Sequence, residues 1–216
     1  IFDIETDGLL ETVSKIHCIV LKDFDKGTVY TYRSDDKDNS IDKGLQHLSD
    51  VEYLIGHNII DYDLRAIKKL YPEFKSKGKI IDTLILGKLL FADIKESDMV
   101  LFKKKKLDGK LIGSHSLKAW GYRMNFLKGT YGETNNWSTI SDEMVQYCQQ
   151  DVEVNARLFH KLEVTGYLPE VLEMEQRIHE ICLQQTQFGF PFNREKARAL
   201  EGKLLTRKTE IKDEII

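Results

Sequence analysis

Strand-type sequence in this chain is confined to its first part, and helical sequence takes over completely from Ser114 onward. Three early segments alternate or run apolar as strands do: Ile1–Thr6, Lys15–Phe24 and Thr28–Arg33, with Asp25-Lys26-Gly27 as a turn between the last two. They predict an antiparallel three-strand start. Short apolar runs at Tyr53–Gly56 and Lys79–Ile81 are each followed by a helical pattern, Asp61–Leu70 and Asp82–Phe91, which is the signature of βαβ units. The fold class is therefore α/β: a mixed five-stranded sheet with flanking helices, followed by C-terminal helices.

Beyond Ser114, helices are predicted at Ser114–Tyr122, Ser141–Val164, Pro169–Thr186 and Arg194–Ile216. Ser141 is an N-cap candidate, with Asp142 and Glu143 well placed in the first turn. Cys148, Val152, Ala156, Phe159 and Leu162 recur on one face of that helix and predict packing on the sheet. Phe102–Gly113, with its run Lys103 to Lys106, and Gly129–Trp137 read as loops. Phe188 to Asn193 reads as a break, with Gly189 free to take positive φ and Asn193 capping the next helix. Residues 1–166 and 167–216 are the expected division of the chain.

Composition narrows the function classes. Apolar residues make up 41% and charged residues 31% of 216, as in a folded water-exposed domain. The net charge of −3 supplies no global field for a polyanion, so any nucleic-acid contact must be local. Cys18, Cys148 and Cys182 stand far apart without a C-x-x-C pair, which suggests neither a zinc knuckle nor a disulfide framework and fits a reducing cytoplasm. No apolar run approaches the length of about 18 residues required for a membrane span.

Carboxylates concentrate at strand ends and on one helix. Asp3-Ile4-Glu5 lies in the first strand, where the two-residue period sends both carboxylates to one face. A solvated edge would give the same triplet. His57-Asn58-Ile59-Ile60-Asp61-Tyr62-Asp63 follows the fourth strand, at the end where open α/β sheets place their sites. Asn58 and Asp63 are candidates there; Asp61 competes with Asp63 or caps the helix, and His57 is expected to be a packed histidine. Tyr147 and Asp151 stand at i and i+4, stacked on one helical face.

The ordered set, D-x-E in the first strand, N-x-x-x-Y-D after the fourth and Y-x-x-x-D in a late helix, resembles the DEDD exonuclease superfamily, and the tyrosine resembles its DEDDy branch. Asp3-Ile4-Glu5-Thr6, Ile81-Asp82-Thr83-Leu84, the run Ser114 to Arg123 and Gly189-Phe190-Pro191-Phe192 are similar to the family A DNA polymerases of T-seven-like phages. This resemblance implies a ribonuclease H-like sheet and a proofreading 3′-to-5′ exonuclease acting on single-stranded DNA or a frayed primer 3′ end. It further implies two divalent cations, Mg²⁺ or Mn²⁺: Asp3 bridging both, Glu5 and Asp151 completing the first site, Asp63 holding the second. Tyr147 would orient the attacking water. Thr6 as a backbone contact to the 3′ end, Leu9 as a wedge against the last bases and Asn58 are the implied substrate contacts, and the lysine run is a candidate phosphate contact.

An RNase D-like RNA exonuclease and a non-catalytic DNA-binding module are the alternatives; the phage-like segments weigh against the first, the full carboxylate set against the second. The opening at Ile1 and the uncapped helical ending at Ile216 predict a piece of a longer chain, with a polymerase domain beyond it and a cytoplasmic setting.

Overall fold

A computed structural model of the protein describes residues 1–127 and 136–215. The chain divides into two compact units, Ile1–Glu180 and Ile181–Ile216. The elements run β1 (Phe2–Thr6), β2 (Ile16–Lys22), β3 (Val29–Arg33), α1 (Ile41–Asp50), β4 (Tyr53–Gly56), α2 (Asp63–Leu70), β5 (Lys79–Asp82), α3 (Thr83–Leu90), α4 (Ile94–Lys103), α5 (Leu117–Arg123), α6 (Asp142–Thr165), α7 (Pro169–Phe188) and α8 (Arg194–Ile215). Among the described residues no helix is long and apolar enough to cross a membrane.

The five strands among the described residues form two hydrogen-bonded ladders, one antiparallel and one parallel, where a single mixed sheet of five was expected. β1, β2 and β3 are antiparallel in that order, and β4 pairs β5 in parallel. β4 runs beside β1 so closely that a side chain at Gly56 would strike Ile59 at 2.2 Å and the Phe2 carbonyl at 3.1 Å, so only glycine fits. The alternating strand pattern places apolar side chains on both faces. One core gathers Phe2, Ile4, Ile19 and Leu21 under α1 and α2, through Leu45, Leu48 and Ile67; the other gathers Cys18, Val20 and Ile55 under α3, α5 and α6.

α6 packs as its period predicts. Cys148, Val152, Ala156, Phe159 and Leu162 are all buried, and the Ser141 hydroxyl accepts from the Met144 amide at 3.2 Å, which caps the helix. α7 adds a side-chain substitute for a strand: the Gln176 amide donates to the Ile80 carbonyl (3.0 Å) and accepts from the Asp82 amide (2.8 Å) along β5.

Several boundaries differ from expectation. α2 begins at Asp63 rather than Asp61, because Asn58 takes φ 66° and Tyr62 a non-helical φ of −124°. Asp61 does not cap it; its carboxylate meets His179 Nε2 at 2.6 Å. Asp82 and Ser116 cap α3 and α5 through side-chain oxygens, so these helices start one and three residues later than predicted. Two helices, α1 and α4, occupy stretches with no predicted element, and α4 takes the first residues of the expected Phe102–Gly113 loop. The expected loop Gly129–Trp137 falls mostly on residues 128–135, outside the described residues.

The second unit contains the end of α7 and α8. Gly189 takes φ 71° between them and the Asn193 carboxamide oxygen accepts from the Lys196 amide at 2.9 Å, as the sequence predicts. On α8, Leu200, Leu204, Ile211 and Ile215 are all exposed.

Candidate active site

β1 carries Asp3 and Glu5 on one face, with Ile4 buried on the other. The ladder with β2 slips between Glu5 and Thr6: Glu5 faces Cys18 while Thr6 faces Ile16, so His17 is the extra residue of a bulge. Beyond β1, Tyr62 ties down the turn. Its hydroxyl contacts Thr6 Oγ1 and donates to the Gly8 carbonyl at 2.5 Å. Thr6 is buried, and Leu9 projects with 73% of its surface exposed.

Asp63 reaches the same strand from the start of α2. Its Oδ1 accepts from the Ile4 amide at 3.3 Å, between the two acidic residues of β1. Burial, and next the charge of Asp3, push the Asp63 carboxyl well above the usual carboxylate range. The loop from Asn58 to Asp63 is held in turn by Asp82, whose carboxylate accepts from the amides of Asn58 (3.0 Å), Ile60 (3.1 Å) and Leu84 (2.9 Å). His57 is a hydrogen-bonded packing residue, Nδ1 to Thr83 Oγ1 at 2.9 Å.

From the other side, α6 lies across β1. The Cys148 thiol donates to both the backbone oxygen and Oδ2 of Asp3, each at 3.6 Å, and burial first of all pushes that thiol up, so it stays a proton donor. Donor atoms of Asp3, Glu5 and Cys148 all lie within 4.8 Å of one another. Asp63 and Asp151 lie outside this tight grouping. Asp151 is buried one turn along α6 from Cys148, and Tyr147 is half-buried beside the Trp137 ring, 6.3 Å between centroids.

These residues fit divalent cations. Carboxylate oxygens suit Mg²⁺ and Mn²⁺, and the crowding of Asp63 by Asp3 is the kind of like-charge contact a cation relieves. The structure thus brings Asp3, Glu5 and Asp63 to one strand end with Thr6, and Tyr147 and Asp151 to the helix that crosses it. Asn58 sits on the Asp82-held loop and Leu9 on the turn past β1. Asp82 and Cys148 escaped sequence reasoning as site residues. Asp82 sits in the Ile81-Asp82-Thr83-Leu84 segment, where an acid closing an apolar strand run is the signal in the sequence; Cys148 carries only a packing signal.

The ionisation of Asp63 has a measurable cost. A carboxyl with a raised folded pKa favours the native state while protonated; that contribution is full below the unfolded value of about 3.9 and is lost as pH rises through the folded value. In EDTA at neutral pH, Asp63→Asn should therefore melt higher than wild type by about 2–4 °C, the shift that about 1 kcal/mol gives a chain of this size. Adding Mg²⁺ or Mn²⁺ should raise the wild-type melting temperature more than the variant's. Equal melting in EDTA would remove the crowding argument.

An antiparallel ladder with acidic residues on its first strand, a parallel ladder whose β4 leads to a third acid at the start of α2, and a helix with a fourth laid across β1 define a ribonuclease H-like α/β domain. The chain belongs to the RNase_H superfamily: the RNase_H_2 family matches residues 1–163. The DNA-directed DNA polymerases of Enterobacteria phage T3 and Escherichia phage T7 are each 32% identical to it over 249 residues, covering 97% of this chain and 35% of theirs. The chain thus spans about a third of the length of these curated relatives. A solved structure of the EXD2 exonuclease domain soaked in Mn and Mg is also similar, at 17% identity over 89% of this chain and 86% of that one, with a TM-score of 0.27. So loose a superposition does not bear on the site.

Proposed function

We propose that this chain is the 3′-to-5′ exonuclease domain of a phage-type family A DNA polymerase, removing nucleotides from single-stranded or mispaired DNA 3′ ends. The observation that carries the reading is the approach of Asp63 to β1, where its carboxylate takes the Ile4 amide between Asp3 and Glu5 and is crowded by Asp3. The similarity to two phage DNA polymerases supports DNA as the substrate.

Asp3, Glu5 and Asp151 would hold one divalent cation, Mg²⁺ or Mn²⁺, and Asp3 with Asp63 a second. Two bound cations activate water and neutralise the oxygens of an in-line displacement at phosphorus. Tyr147 orients the attacking water through its hydroxyl. Thr6 offers its backbone to the 3′ end, Leu9 presses against the last bases, and Asn58 contacts the substrate from the Asp82-held loop. Asp82 and the Cys148 thiol are positioning groups, the first for Asp63 and the second for Asp3. Residues 1–166 carry this activity and 167–216 lead toward a polymerase region of the same longer chain, in a host-cell cytoplasm.

Degradation of end-labelled single-stranded DNA with Mg²⁺, with and without EDTA, tests the reading. Stepwise shortening from the 3′ end that EDTA stops, and that is slower on paired ends and on RNA, is expected. Shortening from the 5′ end, or none, would overturn it. Tyr147→Phe should lower turnover roughly ten- to a hundredfold, the order of cost of a misplaced nucleophile, with unchanged DNA affinity measured in Ca²⁺. Weakened affinity with full turnover would contradict the role given to the hydroxyl.

A further inference from the structure

The β1–β2 bulge has a partner on the far side of the site. His17, the extra residue in that ladder, is buried, and its Nε2 donates to the backbone carbonyl of Trp137 at 2.9 Å. Bulges beside sites re-aim side chains; here the re-aimed imidazole pins the residue that bears an indole. The Trp137 side chain is only half-buried, and it meets the Tyr147 ring edge to face, with 6.3 Å between centroids and 76° between planes. Trp137 is thus fixed through its backbone to the strand pair that bears Asp3 and Glu5. Its ring lies beside that of Tyr147, the residue to which the exonuclease reading assigns the attacking water.

We propose that Trp137 is a stacking platform for an unpaired base at the 3′ end of the substrate, a contact that rests on the exonuclease reading. On the exonuclease reading Tyr147 stands at the bond being cut, and stacked nucleotides on a strand are about 3.4 Å apart, so a ring 6.3 Å from the Tyr147 ring lies about two nucleotides from it. An indole face accepts every base, which suits an enzyme that must hold any mispaired end without reading its sequence. A base still paired in a duplex keeps its own stacking partners and cannot use the platform. The contact therefore selects for unpaired ends at the binding step. Leu9, exposed on the turn past β1, is the second apolar group offered to the same bases.

The chain has two tryptophans, and the other, Trp120, is buried in the core, so intrinsic fluorescence reports on Trp137. The chain would be titrated with single-stranded DNA in Ca²⁺, which supports binding without cleavage. Quenching is expected for wild type and is expected to vanish in Trp137→Phe, whose affinity stays near wild type because an aromatic ring remains. Trp137→Ala should bind roughly tenfold more weakly, the order of loss for one base–aromatic stack. That loss should disappear on an oligonucleotide whose last two nucleotides are abasic. Quenching that persists in Trp137→Phe, wild-type affinity in Trp137→Ala, or an equal loss on the abasic strand would each overturn the platform. A failed platform with intact Mg²⁺-dependent shortening leaves the exonuclease standing, whereas base-dependent quenching without shortening would sink the exonuclease alone.

Discussion

Asp3→Ala should reduce shortening of single-stranded DNA by roughly a thousandfold or more, while the chain stays folded. Asp3 has the most neighbours among the candidate groups that the structure describes: it shares a face with Glu5, raises the Asp63 carboxyl, and receives the Cys148 thiol. Loss of it removes a ligand common to both proposed cations. The charge stabilisation lost with a cation amounts to several kcal/mol, and about 1.4 kcal/mol is a factor of ten in rate. Asp3 is only partly buried on β1 and is a member of neither apolar core. Circular dichroism and melting in EDTA should match wild type or exceed it, since Asp63 is relieved of a neighbouring charge. Activity within about tenfold of wild type, measured with the same end-labelled strand, would remove Asp3 from the centre of the mechanism.

The largest expected effect on stability lies elsewhere, in the buried ion pair of α4 and α5. Asp98 is fully buried and Arg123 nearly so, at 0% and 7% side-chain exposure, with bonds of 2.8 and 2.7 Å from Nε and Nη2. Asp98 also accepts from the Gly113 amide at 2.8 Å, and Arg123 donates to the Ser114 carbonyl at 2.6 Å, so the pair closes the segment between the two helices. Asp98→Ala would leave a guanidinium buried without its counter-ion, which costs about 3–5 kcal/mol. Urea unfolding at neutral pH should show that loss, and limited proteolysis should open the chain between Lys103 and Gly113 first. Burial raises the Asp98 carboxyl, but the Arg123 hydrogen bond and the Gly113 amide outweigh it and hold it below the usual range. The stabilisation is thus present above the unfolded carboxylate value and fades as pH falls through the folded one. The gap between wild type and Asp98→Ala should narrow in acid. A loss under about 1 kcal/mol at neutral pH would mean that Arg123 finds water instead.

That ion pair also explains why α4 was invisible in the sequence. Its two buried residues are Ile94 and Asp98, so the inward face carries no apolar period for pattern reading to find. α1 was missed for a different reason. Ile41, Leu45 and Leu48 do follow a helical period, but Gly44 interrupts them, and it is there because a side chain would strike the Tyr32 ring at 2.9 Å. The strands and α6 were legible because their period and caps are complete within a few residues. The candidate acids Asp3, Glu5 and Asp151 can be picked out for the same reason, as D-x-E and Y-x-x-x-D are local spacings on a strand and a helix. What holds them in place cannot be, because Asp82, Cys148 and the His17 bulge act across 24, 145 and 120 residues of chain. No spacing rule reaches that far.

Gln176 carries a consequence for how these molecules meet one another. A strand at the edge of a sheet is a template on which a second chain can continue the ladder. On β5 the carboxamide of Gln176 already takes the Ile80 carbonyl and the Asp82 amide, the pair a parallel neighbour would use. One side chain from α7 thus occupies one such pair on the strand where a stranger would dock. Clipping within α7, or replacing Gln176 by a residue without an amide, would hand that pair back to solvent and turn a closed border into an adhesive one. Self-association at high concentration, rather than loss of the fold, is the penalty this helix prevents.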